Sequence, residues 1–308
     1  MVDEKFLRFS HVYASTVWGG DGIRTRYRRE DAPRPCSESW EISAHPSGRS
    51  IVRGGKFDGI ALDELTARFG AELVGTKAPD AKRFPLLFKV IDAHLPLSVQ
   101  VHPNESTAPL TGGEPKSEAW YVLGGEPGAM LYAGLSRPAD VGTLRAAAQK
   151  GDAIADFIKR VPVSEGDFLY IPGGTPHAIG AGLMIYEVQQ SSDTTYRLYD
   201  WGRTGADGKP RELHVEKALA SLNTKSAPPF VRRGCIETPY FTIRDVRLDR
   251  PMRLAADGSS FIAVFVAAGS TSAAAAGESL LVPASGGELF LEPTSPGTHV
   301  VVTTLGAS

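Results

Sequence analysis

Cysteine is scarce in this chain. Only Cys36 and Cys235 occur among 308 residues, far apart, so no disulfide framework staples the fold and a reducing compartment is expected. An excess of one charge sign is lacking too: 33 Lys and Arg stand against 35 Asp and Glu, a formal charge of −2. With no long basic run, the field of the whole molecule does not draw nucleic acid or an anionic membrane, and any anionic ligand must be gripped locally. Long apolar runs are missing as well. The most apolar stretch, residues 261–276, is broken by Gly269, Ser270, Thr271 and Ser272, too polar for a membrane span. The first residues, Met-Val-Asp-Glu-Lys, do not follow the basic, apolar, small-residue order of a leader. A cytoplasmic protein with neither nucleic-acid nor membrane partners is expected, and composition leaves the oligomeric state open.

Turn formers are plentiful, with 33 Gly and 22 Pro, which tilts the expectation towards β structure. Strand-like segments at residues 87–91, 97–102, 117–123, 167–171, 183–188, 240–246, 261–267 and 299–304 are separated by Gly, Pro and Asp turns, the spacing of a sandwich or barrel. Residues 61–69, 141–159 and 212–220 carry spaced apolar side chains and are predicted to be helical insertions. Residues 223–229 (Asn-Thr-Lys-Ser-Ala-Pro-Pro) read as a linker. The expected organisation is a metal-binding domain over residues 1–222 and a smaller β domain without a metal site over 223–308. The run from Gly277 to Glu288 resembles that from Gly166 to His177 in its Gly, acid, apolar run and Pro, with Glu288 where the first has the histidine. An internal duplication and a chance likeness of two strand-turn segments both account for it.

Chemistry concentrates in three places. In Leu97-Ser-Val-Gln-Val-His-Pro, alternation sets Ser98, Gln100 and His102 on one face and Val99 and Val101 on the other. In Lys116-Ser-Glu-Ala-Trp-Tyr-Val-Leu the same count groups Lys116, Glu118 and Trp120. The third, running from Gly166 to His177, has the spacing G-x5-P-x-G-x2-H of the second cupin motif, and Gly173 and Gly174 permit a tight turn that returns His177 towards the strands. Together Gln100, His102, Glu118 and His177 form a two-nitrogen, two-oxygen set that suits Zn²⁺ with room for water or substrate. His11, His45, His94, His214 and His299 lack such company and are expected to be hydrogen-bonded structural residues. Lys89 interrupts an apolar strand, so an anion is expected close by, the alternative being a lysine that snorkels to water. Arg197, in a long polar and aromatic stretch, has the planar fork to hold an oxyanion or phosphate; Asp193 and Asp200 are its alternative, structural partners.

These motifs resemble those of type I mannose-6-phosphate isomerases. The matching pieces are Trp18-Gly-Gly, Glu38-Ser-Trp-Glu-Ile-Ser, Lys89 in its strand, the segments around Gln100 and Glu118, the turn from Pro172 to His177, and Thr195-Tyr-Arg-Leu-Tyr-Asp, in family order. The resemblance implies a mainly β cupin (jelly-roll) barrel with helical insertions and a second, smaller, degenerate cupin-like β domain. It implies one Zn²⁺ per chain on Gln100, His102, Glu118 and His177, and a sugar phosphate as substrate. Arg197 and Lys116 would be catalytic, with Ser98 and Lys89 binding substrate. The chain departs from the family at Cys36-Ser37, where relatives often carry Gly, and in its short Ala/Gly-rich C-terminal part. A cupin oxygenase with Fe(II) on two His and one Glu is the rival enzyme, disfavoured by Gln100 as a fourth ligand and by three cations suited to an anionic substrate. A non-catalytic cupin that binds sugar phosphate is the rival of another class.

Overall fold

Alternating apolar and polar side chains form antiparallel strands throughout the chain, and the computed structural model describes all residues except 1, 3, 206–207, 226–228 and 307–308. Two compact units result. A middle unit comprises Tyr13–Ser39 and Val90–Arg232; a terminal unit comprises Met1–Val12, Trp40–Lys89 and Arg233–Ser308. The names refer to place in the sequence. The terminal unit thus takes in residues 1–12 and 40–89, which the sequence grouped with the metal-binding part. Residues 226–228 of the expected linker lie outside the described residues.

In the middle unit, the Glu118–Gly125 strand runs between Phe168–Ile171 and Leu183–Gln190 in one sheet. A second sheet has the order Tyr196–Tyr199, Val99–Val101, His177–Ile179, Met130–Leu135, Ile158–Pro162. Trp120, Val122, Leu169 and Ile185 from the first sheet share one core with Leu131, Ala133, Val161 and Ile179 from the second, so the sheets pack face to face in the double-sheet manner of a jelly roll. Trp18, from the Trp-Gly-Gly segment, is buried in this same core. The other face of the second sheet contributes Val99, Val101, Ala178 and Leu198 to a separate core, closed by Leu144, Ala147 and Ala148 of the Val141–Gln149 helix and by Ala218 and Leu219 of the Val215–Ser221 helix. Burying each of the valines and leucines among them contributes about 1.5–3 kcal/mol. Both faces of the Val99–Val101 strand are therefore spoken for: valines towards the helices, polar residues towards the first sheet.

The helical stretch expected over 141–159 is shorter. Asp140 caps its start by accepting from the Thr143 N–H at 2.8 Å, but Gly151 adopts φ +73° and ends it. A 3-10 segment, Gly151–Phe157, and then the Ile158–Pro162 strand follow. That strand forms because Met130–Leu135 offers it a pairing edge, a partner distant in sequence.

The terminal unit is built on a five-stranded antiparallel sheet in the order Cys235–Glu237, Phe241–Arg247, His299–Leu305, Ile262–Ala268, Ser279–Val282. Val264, Val266, Leu280, Val282, Leu291 and Val300 lie in its core. Met252–Ala255 pairs with Glu288–Leu291 beside it. Glu288, standing where the earlier segment has His177, is partly exposed and ion-paired with Arg253.

Candidate metal centre

Because Val99 and Val101 face the helices, Gln100 and, just past the strand end, His102 face the space between the sheets. Register then sets His177 directly opposite Gln100 on the neighbouring strand. From the facing sheet, Glu118 shares the inward parity of Trp120 and Val122. The turn before His177 is held by its backbone: Gly174 N–H donates to the His102 carbonyl at 2.7 Å and Gly173 N–H donates to Ser117 Oγ at 3.0 Å. Gly174 sits at φ +90°, and a Cβ on Gly173 would stand 2.8 Å from the Pro103 carbonyl oxygen. Glycine is needed at both positions for the turn to close on the strand end.

Three side chains converge. His102 Nε2 lies 3.3 Å from Glu118 Oε2, and His177 Nε2 lies 3.3 Å from Glu118 Oε1. The ligand atoms of these three residues all fall within 4.8 Å of one another. All three side chains are buried. Each imidazole is anchored on its other side, His102 Nδ1 to the Thr194 carbonyl at 2.8 Å and His177 Nδ1 to the Thr175 carbonyl at 2.8 Å. A carbonyl only accepts, so Nδ1 carries the proton on both rings and each Nε2 presents its lone pair to the carboxylate. Burial, reinforced by the Lys116 ammonium, pushes the His102 imidazole down to about 3, and burial also lowers that of His177. Burial pushes the Glu118 carboxyl up, but the Lys116 ammonium beside it outweighs burial and holds the group well below the usual carboxylate range.

Lone pairs thus face lone pairs. His102 Nε2 and both carboxylate oxygens of Glu118 have no hydrogen-bond partner among the described residues, although the Lys116 ammonium stands 3.1 Å from Glu118 Oε2 as an ion pair. Two neutral imidazole nitrogens and a carboxylate, dry and aimed at one point, are the donor set a divalent metal accepts, and the residues present fit one. Among the described residues this is the one group with such convergence. Gln100 adjoins it, its Nε2 3.2 Å from His177 Nε2 and its Oε1 accepting from Ser98 Oγ at 3.2 Å.

The remaining expected site residues fall as follows. Ser98 and Lys116 are buried beside the cluster, each bonded or paired to one of its members. Arg197 lies opposite Gln100 on the neighbouring strand; its Nε is buried without a hydrogen-bond partner among the described residues. Of its two alternative structural partners, Asp200 is engaged elsewhere, by Arg203 and Arg211. Lys89 belongs to the terminal unit, its ammonium 4.7 Å from the centroid of the Trp40 ring, a cation–π partner that the sequence did not suggest. Four of the other five histidines have partners of their own: His11 lies beside Glu41, His299 beside Asp245, His45 Nδ1 accepts from the Ser47 N–H and His214 Nδ1 from the Arg197 N–H.

Sequence reading missed the carbonyls of Thr175 and Thr194, which carry no side-chain signature. It missed Glu187, buried on the strand next to Glu118 and accepting from Trp120 Nε1 at 2.8 Å, and Gln189, directly opposite Glu118 in the register. Only the alternation of residues 183–190, with Glu187 and Gln189 on one face, could have pointed to them.

Residues 6–122 match the family model of the phosphomannose isomerase type I catalytic domain. Mannose-6-phosphate isomerase of Streptococcus mutans is 40% identical over 238 residues, 74% of either chain. Mannose-6-phosphate isomerase ManA of Bacillus subtilis is 38% identical over 224 residues, 72% of this chain and 69% of its own. A crystal structure of mannose 6-phosphate isomerase from Bacillus subtilis superimposes with a TM-score of 0.87 at 28% identity, covering 97% of this chain and 99% of that one. With the relatives aligned over more than two thirds of their length and the fold shared throughout, the chain belongs to the type I mannose-6-phosphate isomerase family.

Proposed function

We propose that the chain interconverts mannose 6-phosphate and fructose 6-phosphate, with one Zn²⁺ held by Gln100, His102, Glu118 and His177. The observation that carries this reading is the convergence of two Nε2 lone pairs on the Glu118 carboxylate, each ring locked by a carbonyl at Nδ1. The donor set is mixed nitrogen and oxygen, which suits zinc, and family membership supplies the substrate class. For Gln100 to serve as a ligand its amide must turn by half a rotation, exchanging Nε2 for Oε1 on the side facing His177.

Aldose–ketose isomerisation moves a proton between C2 and C1 through an enediolate, so the site must grip the phosphate and stabilise negative charge on the sugar oxygens. A bound zinc ion would supply Lewis-acid polarisation of those oxygens. Arg197, whose Nε has no partner among the described residues, would offer its fork to the same developing charge. Lys116, paired to Glu118, keeps a buried cation at the reacting carbons, where it opposes charge on the enediolate. Ser98 is the proposed phosphate ligand of the middle unit. Conversion of mannose 6-phosphate in a coupled assay, with metal analysis of the same preparation, tests the reading. Turnover that tracks zinc content is expected, and a zinc-loaded protein without turnover would refute it.

A further inference from the structure

Three guanidinium groups crowd the end of the Tyr196–Tyr199 strand, yet one carboxylate there answers only two of them. Asp200 is buried. Arg211 grips it as a fork, Nε on Oδ2 at 2.6 Å and Nη2 on Oδ1. Arg203 adds its Nη2 to Oδ1 and is tied down further, Nε donating to the Asp200 carbonyl at 3.2 Å and Nη1 to the Pro96 carbonyl at 2.5 Å. Arg203 is thus anchored on three acceptors, whereas the bonds described for Arg211 all go to Asp200.

Arg197 is the third guanidinium. Its Nε is buried with no hydrogen-bond partner among the described residues, and its charge is disfavoured first by burial and then by Arg211, with Asp200, Glu212 and Asp193 acting the other way. Asp200, three residues further along the chain, is held by Arg203 and Arg211 and is not bonded to Arg197. The strand register shifts between Arg197 and Tyr199, an irregularity that changes which side the following residues face. An unpaired buried guanidinium next to an accessible carboxylate would close on it, since charge-assisted pairing in a dry site is strong.

We infer that Arg211 is a positioning residue that saturates the Asp200 carboxylate and so keeps the Arg197 guanidinium unpaired and open to an anionic oxygen of the substrate. This rests on the reading of Arg197 as a group that acts on substrate. Removing Arg211 leaves Oδ2 of Asp200 without its donor, and Arg197 is the guanidinium with a donor to spare.

The test is a rescue. Arg211→Met should lower kcat/KM for mannose 6-phosphate by about ten-fold or more, in the range of a displaced charge-stabilising donor, with zinc content unchanged. Adding Asp200→Asn to Arg211→Met removes the competing anion and should restore kcat/KM to within about three-fold of the parent, although it deletes a further ion pair. A purely structural role predicts the reverse, with losses in kcat/KM and melting temperature that accumulate in the double variant. A double variant as impaired as Arg211→Met, or an Arg211→Met variant of parental kcat/KM, would overturn the inference. If Arg211→Met does not fold, Arg211→Gln takes its place in the same pair of comparisons. Arg197→Met, assayed in parallel, separates the two readings: if it keeps turnover, the role of Arg197 itself falls; if it loses turnover while Arg211→Met does not, only the positioning role falls.

Discussion

Each imidazole of the centre is specified twice, by the ring nitrogen that faces Glu118 and by the one that faces a carbonyl. Since the carbonyl fixes the proton on Nδ1, the ring cannot tilt or change tautomer without losing that bond. His102→Ala is therefore expected to abolish both zinc retention and turnover, read by metal analysis after gel filtration. Full zinc content in that variant would remove His102 from the ligand set. The protonation states give a second expectation. With His102 pushed to about 3, His177 lowered and Glu118 held low, all three are already deprotonated at pH 7. Metal binding then has no protons to displace from them. Calorimetric titration of zinc into stripped protein at pH 7, in buffers of different ionisation enthalpy, should report close to zero protons released; release of one or two would contradict the deprotonated states assigned to the three side chains. Arg197 gives the third expectation: because its Nε braces nothing, Arg197→Lys should cost turnover about ten- to a thousand-fold while the melting temperature barely moves. Near-normal turnover with a clear loss of thermal stability would make it a structural residue.

Strands and turns carry these side chains to one point, and the turn from Pro172 to Pro176 is the most exacting of them. Gly173→Ala introduces a Cβ 2.8 Å from the Pro103 carbonyl oxygen and 3.0 Å from Asn104, both on the segment that follows His102. Backbone cannot yield as a side-chain tip does, so a loss of about 1–3 kcal/mol is expected from overpacking. His102 and His177 should move apart with it, weakening zinc retention, as a chelator competition would measure; unchanged affinity would show that the turn does not govern the ligands. At this scale much was legible. The polar faces of residues 98–102 and 116–120 follow from strand parity alone, and the Gly-Pro spacing before His177 marks a turn. The strand at Ile158–Pro162 was not legible, because its pairing edge, Met130–Leu135, lies more than twenty residues earlier and periodicity within a window cannot see it.

For the whole molecule, one metal per chain is expected, held in the middle unit. The segment of the terminal unit that resembles the histidine turn carries Glu288, which is spent on an exposed pair with Arg253 and lies on a strand paired with Met252–Ala255. Glu288→Ala should leave zinc content and turnover at parental values; a drop in zinc stoichiometry would assign that segment a metal role after all. The type of each candidate ligand, the segment that carries it and the family it signals were determined by the sequence, because side-chain chemistry and a period of two are local properties. Four matters were decided only by tertiary structure. These are the carbonyls of Thr175 and Thr194 behind the histidines, the engagement of Asp200 by Arg203 and Arg211 in place of Arg197, the Trp40 ring against Lys89, and the grouping of residues 1–12 and 40–89 with the C-terminal segment. The Thr194 carbonyl, the Trp40 ring and the grouping of segments depend on which distant segments meet, while the Thr175 carbonyl and the Asp200 pairs depend on how the backbone turns nearby. Backbone acceptors and competing ion pairs leave no mark in a sequence, since every residue has a carbonyl and an acid near several cations chooses among them by distance.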